Sequence, residues 1–203
     1  MNKYSARRII ILVLCLVLIP AATFAATPTS GGSNNNSSAA SRINSLPVFK
    51  FWNHEKGIGY GNCPVYTAPS YSAYRLADGK ASVATNVDMS EGGYVSGWLL
   101  VRYEKNGGGF RVGYIPPSNV SGFRSKMGTK QFDYVAATAG GTIYVTDDPI
   151  RGTPYFARMD YGERFYLLAR YDYYGDWLYI EFWVNGQVAR GFIDRTSSNF
   201  SLY

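Results

Sequence analysis

One segment of this chain occurs twice. The first copy reads Pro64-Val65-Tyr66-Thr67-Ala68-Pro69, then Gly97-Trp98-Leu99-Leu100-Val101-Arg102-Tyr103, a Gly-rich turn, Phe110-Arg111-Val112 and Gly113-Tyr114-Ile115. The second reads Ile143-Tyr144-Val145-Thr146-Asp147-Asp148-Pro149, then Asp176-Trp177-Leu178-Tyr179-Ile180-Glu181-Phe182, Asn185-Gly186, Val188-Ala189-Arg190 and Gly191-Phe192-Ile193. The tryptophans lie 79 positions apart and the Gly-aromatic-Ile triplets 78 apart. Chance does not reproduce order and spacing at three places, so one structural unit is encoded twice.

The unit is a β unit. Helical periodicity is scarce, whereas runs of period two are frequent, as in 98–103 and 177–184. Turn clusters bound them, Asn106-Gly107-Gly108-Gly109 after the first and Asn185-Gly186 after the second. Asn-Gly between two strand-like runs is the strongest short hairpin signal. Alternation then puts Leu99, Val101 and Tyr103 on one face, and Leu178, Ile180 and Phe182 likewise, as the core candidates.

A Tyr-Thr-x-Pro segment, a Gly-Trp-x-x-Val strand, a hairpin and a closing Gly-aromatic-Ile resemble the bacterial SH3-like (SH3b) module. Gly79-Lys80-Ala81-Ser82-Val83, taken with the Gly97–Tyr103 run, also resembles secreted proteins of clostridial type that carry such modules in pairs. The resemblance implies an all-β fold of two small SH3-like barrels, each of five or six strands, used for attachment or interaction, often at the cell wall. It implies boundaries at 48–125 and 126–203. The first repeat departs from the pattern by an insertion, Asn86 to Ser96, and the second by Asp147-Asp148 where the first has Ala68. A single module of this size is marginally stable. The two are therefore expected to dock, helped by Val48 to Trp52 or by Phe132 and Tyr134.

The segment before the repeats reads as an export signal and a tether. Lys3, Arg7 and Arg8 precede the apolar run Ile9 to Ile19, which ends in Pro20 and the small residues around Ala25. That pattern is a secretory signal peptide, residues 1–25, cut after Ala25. Eleven apolar residues fall short of the roughly 20 that span a bilayer. Cys15 follows the bulky Leu14, where lipid attachment needs a small residue. No second apolar run follows, so no stable membrane span is expected after leader removal. Residues 26–47 are rich in Ser, Asn and Gly and read as a flexible linker.

Charge and chemistry narrow the function. Taking the leader's three basic residues from 20 leaves 17 against 14 acids, a net +3, too mild for nucleic acid. Only Cys63 remains after the leader, so no internal disulfide forms, and it reads as a small buried side chain. Thiol catalysis needs a histidine base, and His54 is the chain's one histidine. No separate catalytic domain is left to hold the pair, and no Gly-x-Ser-x-Gly elbow is present. Asp147-Asp148 before Pro149 fits a turn cap better than a catalytic or calcium-binding pair. The chain therefore reads as non-catalytic, with no cofactor and no metal.

Aromatic residues are the informative feature. Tyr171, Tyr173, Tyr174, Trp177, Tyr179 and Trp183 crowd thirteen positions of the second repeat. Trp177, Tyr179 and Trp183 alternate onto the face opposite Leu178 and Ile180. Core packing accounts for one face of a small barrel. The other offers flat apolar area with polar edges, suited to sugar rings or peptide. Candidate ligand-binding residues are Tyr173, Tyr174, Trp177, Tyr179 and Trp183, with Trp98 of the first repeat. The expected partner is cell-wall glycan or peptide. The alternative is a protein–protein adaptor acting on another secreted protein, its aromatics packing the two modules together.

Overall fold

Strand-forming runs and glycine turns alternate along the chain, and strands dominate the fold accordingly. The computed structural model describes residues 35–54, 62–84, 89–120 and 128–203. The expected leader and residues 26–34 of the expected linker lie outside the described residues. In the first repeat, β1 (Trp52–His54), β4 (Met89–Val95), β5 (Trp98–Glu104) and β6 (Phe110–Ile115) form a four-stranded antiparallel sheet in the order β1-β4-β5-β6. β2 (Cys63–Pro64) and β3 (Ser82–Val83) form a two-stranded ladder, and a short helix, α2 (Pro117–Val120), follows β6. In the second repeat, β7 (Val135–Ala139), β8 (Ile143–Thr146), β9 (Tyr155–Met159), β10 (Arg164–Tyr171), β11 (Trp177–Val184), β12 (Gln187–Asp194) and β13 (Phe200–Leu202) form one curled sheet in the order β13-β7-β10-β11-β12-β8-β9. Among the described residues no helix is long and apolar enough to cross a membrane.

The duplicated hairpins match in register. Leu99 faces Ile115 as Leu178 faces Ile193, and Val101 faces Gly113 as Ile180 faces Gly191. The glycines are needed for the same reason in both. A Cβ on Gly113 would lie 2.7 Å from the Tyr66 carbonyl oxygen, and one on Gly191 would lie 3.0 Å from that of Thr146. The incoming segment thus bridges each hairpin at its Gly-aromatic-Ile triplet, Tyr66 opposite Tyr114 and Thr146 opposite Phe192. Asn185-Gly186 closes β11–β12 with positive φ at both residues, +50° and +77°, as its dipeptide predicts.

The expected insertion, Asn86 to Ser96, is corrected. From Met89 it is β4, joined to β5 by the two-residue turn Ser96-Gly97, with φ of +50° and +81°; residues 86–88 lie outside the described residues. Its counterpart, β10, pairs with β11 in the same way, through the longer loop 172–176. Glu91-Gly92-Gly93 hides the strand in the sequence, because a bulge between Glu91 and Gly93 interrupts the alternation. The linker also departs from expectation. From Asn35 the chain forms a helix, α1 (Asn35–Ser45), which brings Ile43 and, just beyond it, Leu46 into the core. Tertiary docking supplies what the polar composition lacks. Arg170 donates to the Asn44 carbonyl and Arg195 to the Asn44 side chain, fixing the helix end.

Each repeat fills its own core with the expected residues. Leu99, Val101 and Tyr103 pack with Val65, Val83 and Met89. Leu178, Ile180 and Phe182 pack with Ile143, Phe165 and Leu167, and with Ile43 and Leu46. A third cluster joins the repeats: Trp98, Leu100, Val112 and Tyr114 against Leu168, Tyr171, Tyr179 and Phe192. Phe49, 1% exposed, sits within it and contacts Phe51, Phe132, Tyr171 and Tyr179 at centroid distances of 5.3–5.6 Å. Offset and edge-on rings at such distances add to plain burial. The expected contribution of the 48–52 segment and Phe132 to this contact is therefore present.

Candidate functional site

The six aromatic candidates do not converge on one surface. Trp98 is 6% exposed, covered by Tyr66 and Tyr71 at 5.3 and 4.8 Å. Tyr179 is 1% exposed within the cluster between the repeats. Alternation placed both correctly on the face away from their own cores. Tyr179 is covered there by the other repeat and by Phe49, and Trp98 by Tyr66 and Tyr71 of its own repeat, so neither ring is open to a ligand. Tyr173 and Tyr174 are exposed on loop 172–176, with ring centroids 4.1 Å apart. Trp183 is half exposed at the far end of β11 and packs edge-on against Tyr166 at 6.1 Å, which in turn meets Tyr134 at 5.9 Å. Trp177 lies between these extremes, its indole against Gly152 and Gly175, where a Cβ would come within 2.9 and 2.7 Å of the ring. Its Nε1–H is buried with no hydrogen-bond partner among the described residues.

Trp177 also lines a groove that no motif in the sequence marks. The groove, about 290 Å³, runs between β8, the loop 151–155 and the 194–198 turn. Tyr144 and Tyr155, each about half exposed, stack on one side of it at 5.0 Å and 29°. Asp194, Ser197 and Ser198 supply polar groups on its lining. Asp194 accepts from the Thr196 N–H and hydroxyl at 2.8 and 2.7 Å. Partial burial opposes its charge, but the hydrogen bonds from Thr196 and Ser197 outweigh that and hold the carboxyl below its usual range. Tyr144 alternates with the buried Ile143 and Val145, which turns it outward. Tyr155 was hidden because its neighbour across the sheet is set by a bulge between Val145 and Thr146.

The contact between the repeats carries its own polar network. Arg190 donates from Nε to Glu181 at 2.8 Å, from Nη1 to the Tyr114 hydroxyl at 2.8 Å, and from Nη2 to the Tyr134 hydroxyl at 2.7 Å. The Tyr179 hydroxyl donates to that of Tyr114 at 3.1 Å. Burial pushes both phenols up, Tyr179 furthest. Burial also works against the Arg190 charge, but the surrounding phenol and carboxylate oxygens outweigh it and hold the guanidinium above its ordinary value. Such a network is fully satisfied only with every member in place.

Asp147 and Asp148 act as a turn cap and more. Asp148 Oδ1 accepts from the Ile150 and Arg151 N–H groups, as expected of a capping aspartate. Its Oδ2 accepts from the Phe110 N–H of the first repeat at 2.9 Å. Asp147 pairs with Arg111 at 2.9 Å and Lys105 at 3.6 Å. Cys63 is buried at 2% exposure, as expected, and burial pushes its thiol up. His54 ends β1 opposite Met89, and its side chain lies outside the described residues. No group of three or more His, Cys, Asp or Glu able to hold a metal occurs among the described residues. No protein-family model, curated protein or solved structure matches the chain.

Proposed function

We propose that this chain is a secreted or cell-surface, non-catalytic binding protein built as a tandem pair of SH3-like barrels, and that it recognises cell-wall glycan or peptide. The observation that carries the reading is the groove beside Tyr144, Tyr155 and Trp177. Two stacked, half-exposed phenol rings offer the flat apolar face that a sugar ring covers, and Asp194, Ser197 and Ser198 offer the polar edge that orients its hydroxyls. Export rests on the leader-like first 25 residues, and the barrel pair on the duplicated motif and the matching hairpin registers. Of the six aromatic candidates, Trp177 is the one that lines this groove. The binding surface then lies at the end of the sheet rather than on the strand face.

Sedimentation with purified cell wall tests it. Tyr144→Ala with Tyr155→Ala removes exposed rings without opening a core, and the double variant is expected to bind about tenfold more weakly. Trp183→Ala, at the other end of β11, is expected to leave binding unchanged. Wild-type retention by the tyrosine double variant would sink the groove. Walls stripped of peptide and walls digested in their glycan strands separate the two ligand classes.

A structural or protein–protein adaptor is the second reading, and the burial of Tyr179 between the repeats, its hydroxyl on that of Tyr114, favours it. It expects the tyrosine double variant to bind wall normally, or wall not to be bound at all, while Tyr179→Ala lowers the stability of the whole fold.

A further inference from the structure

A second cavity, about 470 Å³, opens in the first repeat, between the end of the β5–β6 hairpin and the 77–84 segment that carries β3. Pockets of this size hold small molecules or the end group of a polymer. Its lining is chiefly polar and carries three cations, Lys80, Lys105 and Arg111, with Tyr103 and the amides of Asn62 and Asn106.

Two of the cations are held in place rather than left to solvent. Asp147, whose side chain is 6% exposed, comes from the second repeat and pairs with both Arg111 and Lys105, whose own side chains are only 16% and 17% exposed. Asp147, with the buried Asp148 beside it accepting from the Phe110 N–H, balances Lys105 and Arg111 and fixes them in position before any ligand arrives. The positive surplus comes from Lys80, which enters no ion pair among the described residues. Beside Ala81 on the lining, Arg75 directs its donors to the Val65 and Ala81 carbonyls, which are neutral, so its charge also adds to the local field. Glu104 is the carboxylate on the lining, and it is exposed. Fixed charges inside a partly enclosed site act at a lower effective dielectric than charges on open surface.

We propose that this cavity binds the oxyanion end of a ligand, a phosphate or a carboxylate, through Lys80, Lys105 and Arg111. The site is separate from the aromatic groove and does not depend on the reading given to that groove. Both phosphodiester polymers and peptide termini present such a group, and the experiment separates them.

Calorimetric titration of the full protein with glycerol 1-phosphate in one arm and with N-acetyl-alanyl-alanine in the other is the test. At least one probe is expected to bind with a dissociation constant below about a millimolar, and its affinity is expected to fall as salt is raised. Lys80→Gln, on an exposed side chain, is expected to weaken that binding about fivefold, and Lys105→Gln by a similar factor. Tyr144→Ala is expected to leave it unchanged. Binding in the phosphate arm alone identifies a phosphate ligand, binding in the peptide arm alone a carboxylate, and binding in both a general oxyanion site. Each of these supports the proposal if either lysine variant weakens it. Binding by neither probe, or binding untouched by both lysine variants, overturns it. Arg111→Gln is avoided as the primary variant because it strips Asp147 of its closest partner. Amide chemical shifts of Tyr103 and Arg111 on titration locate the probe without any substitution.

Discussion

The hairpins β5–β6 and β11–β12 agree on the face turned to their own cores and part company on the face turned to each other. On the inner face Leu99, Val101, Tyr103 and Ile115 answer to Leu178, Ile180, Phe182 and Ile193, like for like in size. On the outer face Leu100, Arg102, Val112 and Tyr114 answer to Tyr179, Glu181, Arg190 and Phe192. The inner positions fill a closed volume, where a change of one methylene is felt. The outer positions meet the other repeat, where two identical faces would set like against like. Divergence lets Arg190 of one meet Tyr114 of the other and lets Arg102 donate to the Tyr171 hydroxyl at 3.1 Å. The same duplication therefore yields two similar cores and one complementary, unsymmetrical contact.

Breaking the outer face at its centre is expected to have the largest effect. Arg190→Met leaves Glu181 beside it without its cation and takes a donor from the phenols of Tyr114 and Tyr134. It is expected to destabilise by about 3–5 kcal/mol, read from urea or thermal unfolding. The corresponding loss of an arginine from the first hairpin, Arg102→Met, is expected to cost about 1–2 kcal/mol, since that side chain is half-buried and, among the described residues, bonds to two hydroxyls and lies over the Phe51 and Phe110 rings without an ion pair. Adding Glu181→Leu to Arg190→Met is expected to recover most of the loss. Equal costs for the two arginines would remove the asymmetry between the outer faces.

The crossing glycines test the shared part of the plan. Gly113→Ala and Gly191→Ala each push a methyl group against the carbonyl of the crossing segment, Tyr66 or Thr146. Each is expected to cost about 1–3 kcal/mol, with Gly113 the more sensitive because its backbone neighbour is closer. If one glycine tolerates alanine, the two crossings are not equivalent and the duplication is looser than the registers suggest.

Alkaline pH separates the outer faces more finely. Tyr114 and Tyr179 are both raised by burial, and Phe192 and Leu100 stand at the corresponding places. Below about pH 10 folded and unfolded chains keep both protons. Above it the unfolded chain sheds protons that the folded chain retains, so stability falls as pH rises toward the folded pKa values. Tyr179→Phe is expected to cost about 1 kcal/mol at neutral pH and to make the decline above pH 10 shallower, followed by unfolding midpoints across pH 8 to 11.

How much of this was legible depended on whether a residue's partner lay nearby in sequence. Leu178-Tyr179-Ile180 alternates, so the inner and outer faces were readable, and Asn185-Gly186 named its own turn. What covers the outer face was not readable. Phe49 arrives from more than a hundred positions before Tyr179, and no local pattern encodes that meeting. Helix α1 escaped because Ile43 and Leu46 are its docking groups in a stretch otherwise rich in Ser and Asn. The groove escaped because Tyr144 and Tyr155 are not register partners: Tyr144 faces Arg158, a bulge sets Tyr155 opposite Thr146, and only the folded sheet brings the two rings together. The cationic cavity escaped because Asp147, which orders it, belongs to the other repeat.

The smallest effect expected is at the turns, where the repeats have reached the same geometry with different residues. Ser96-Gly97 and Asn185-Gly186 both close two-residue hairpins, and Ser96 and Asn185 share a φ of +50°. Asparagine tolerates that left-handed region better than serine, because its short amide bonds locally to the backbone. The second repeat thus carries the better residue for a turn both repeats make. Ser96→Asn is expected to stabilise by about 0.5 kcal/mol, and Asn185→Ser to destabilise by a similar amount, both read as shifts of the urea midpoint at constant slope. Equal and opposite shifts mean that the two turns are one device with one residue exchanged. A loss from Ser96→Asn would mean that serine is held there by a contact the second turn lacks, and the duplication would then end at the strand tips.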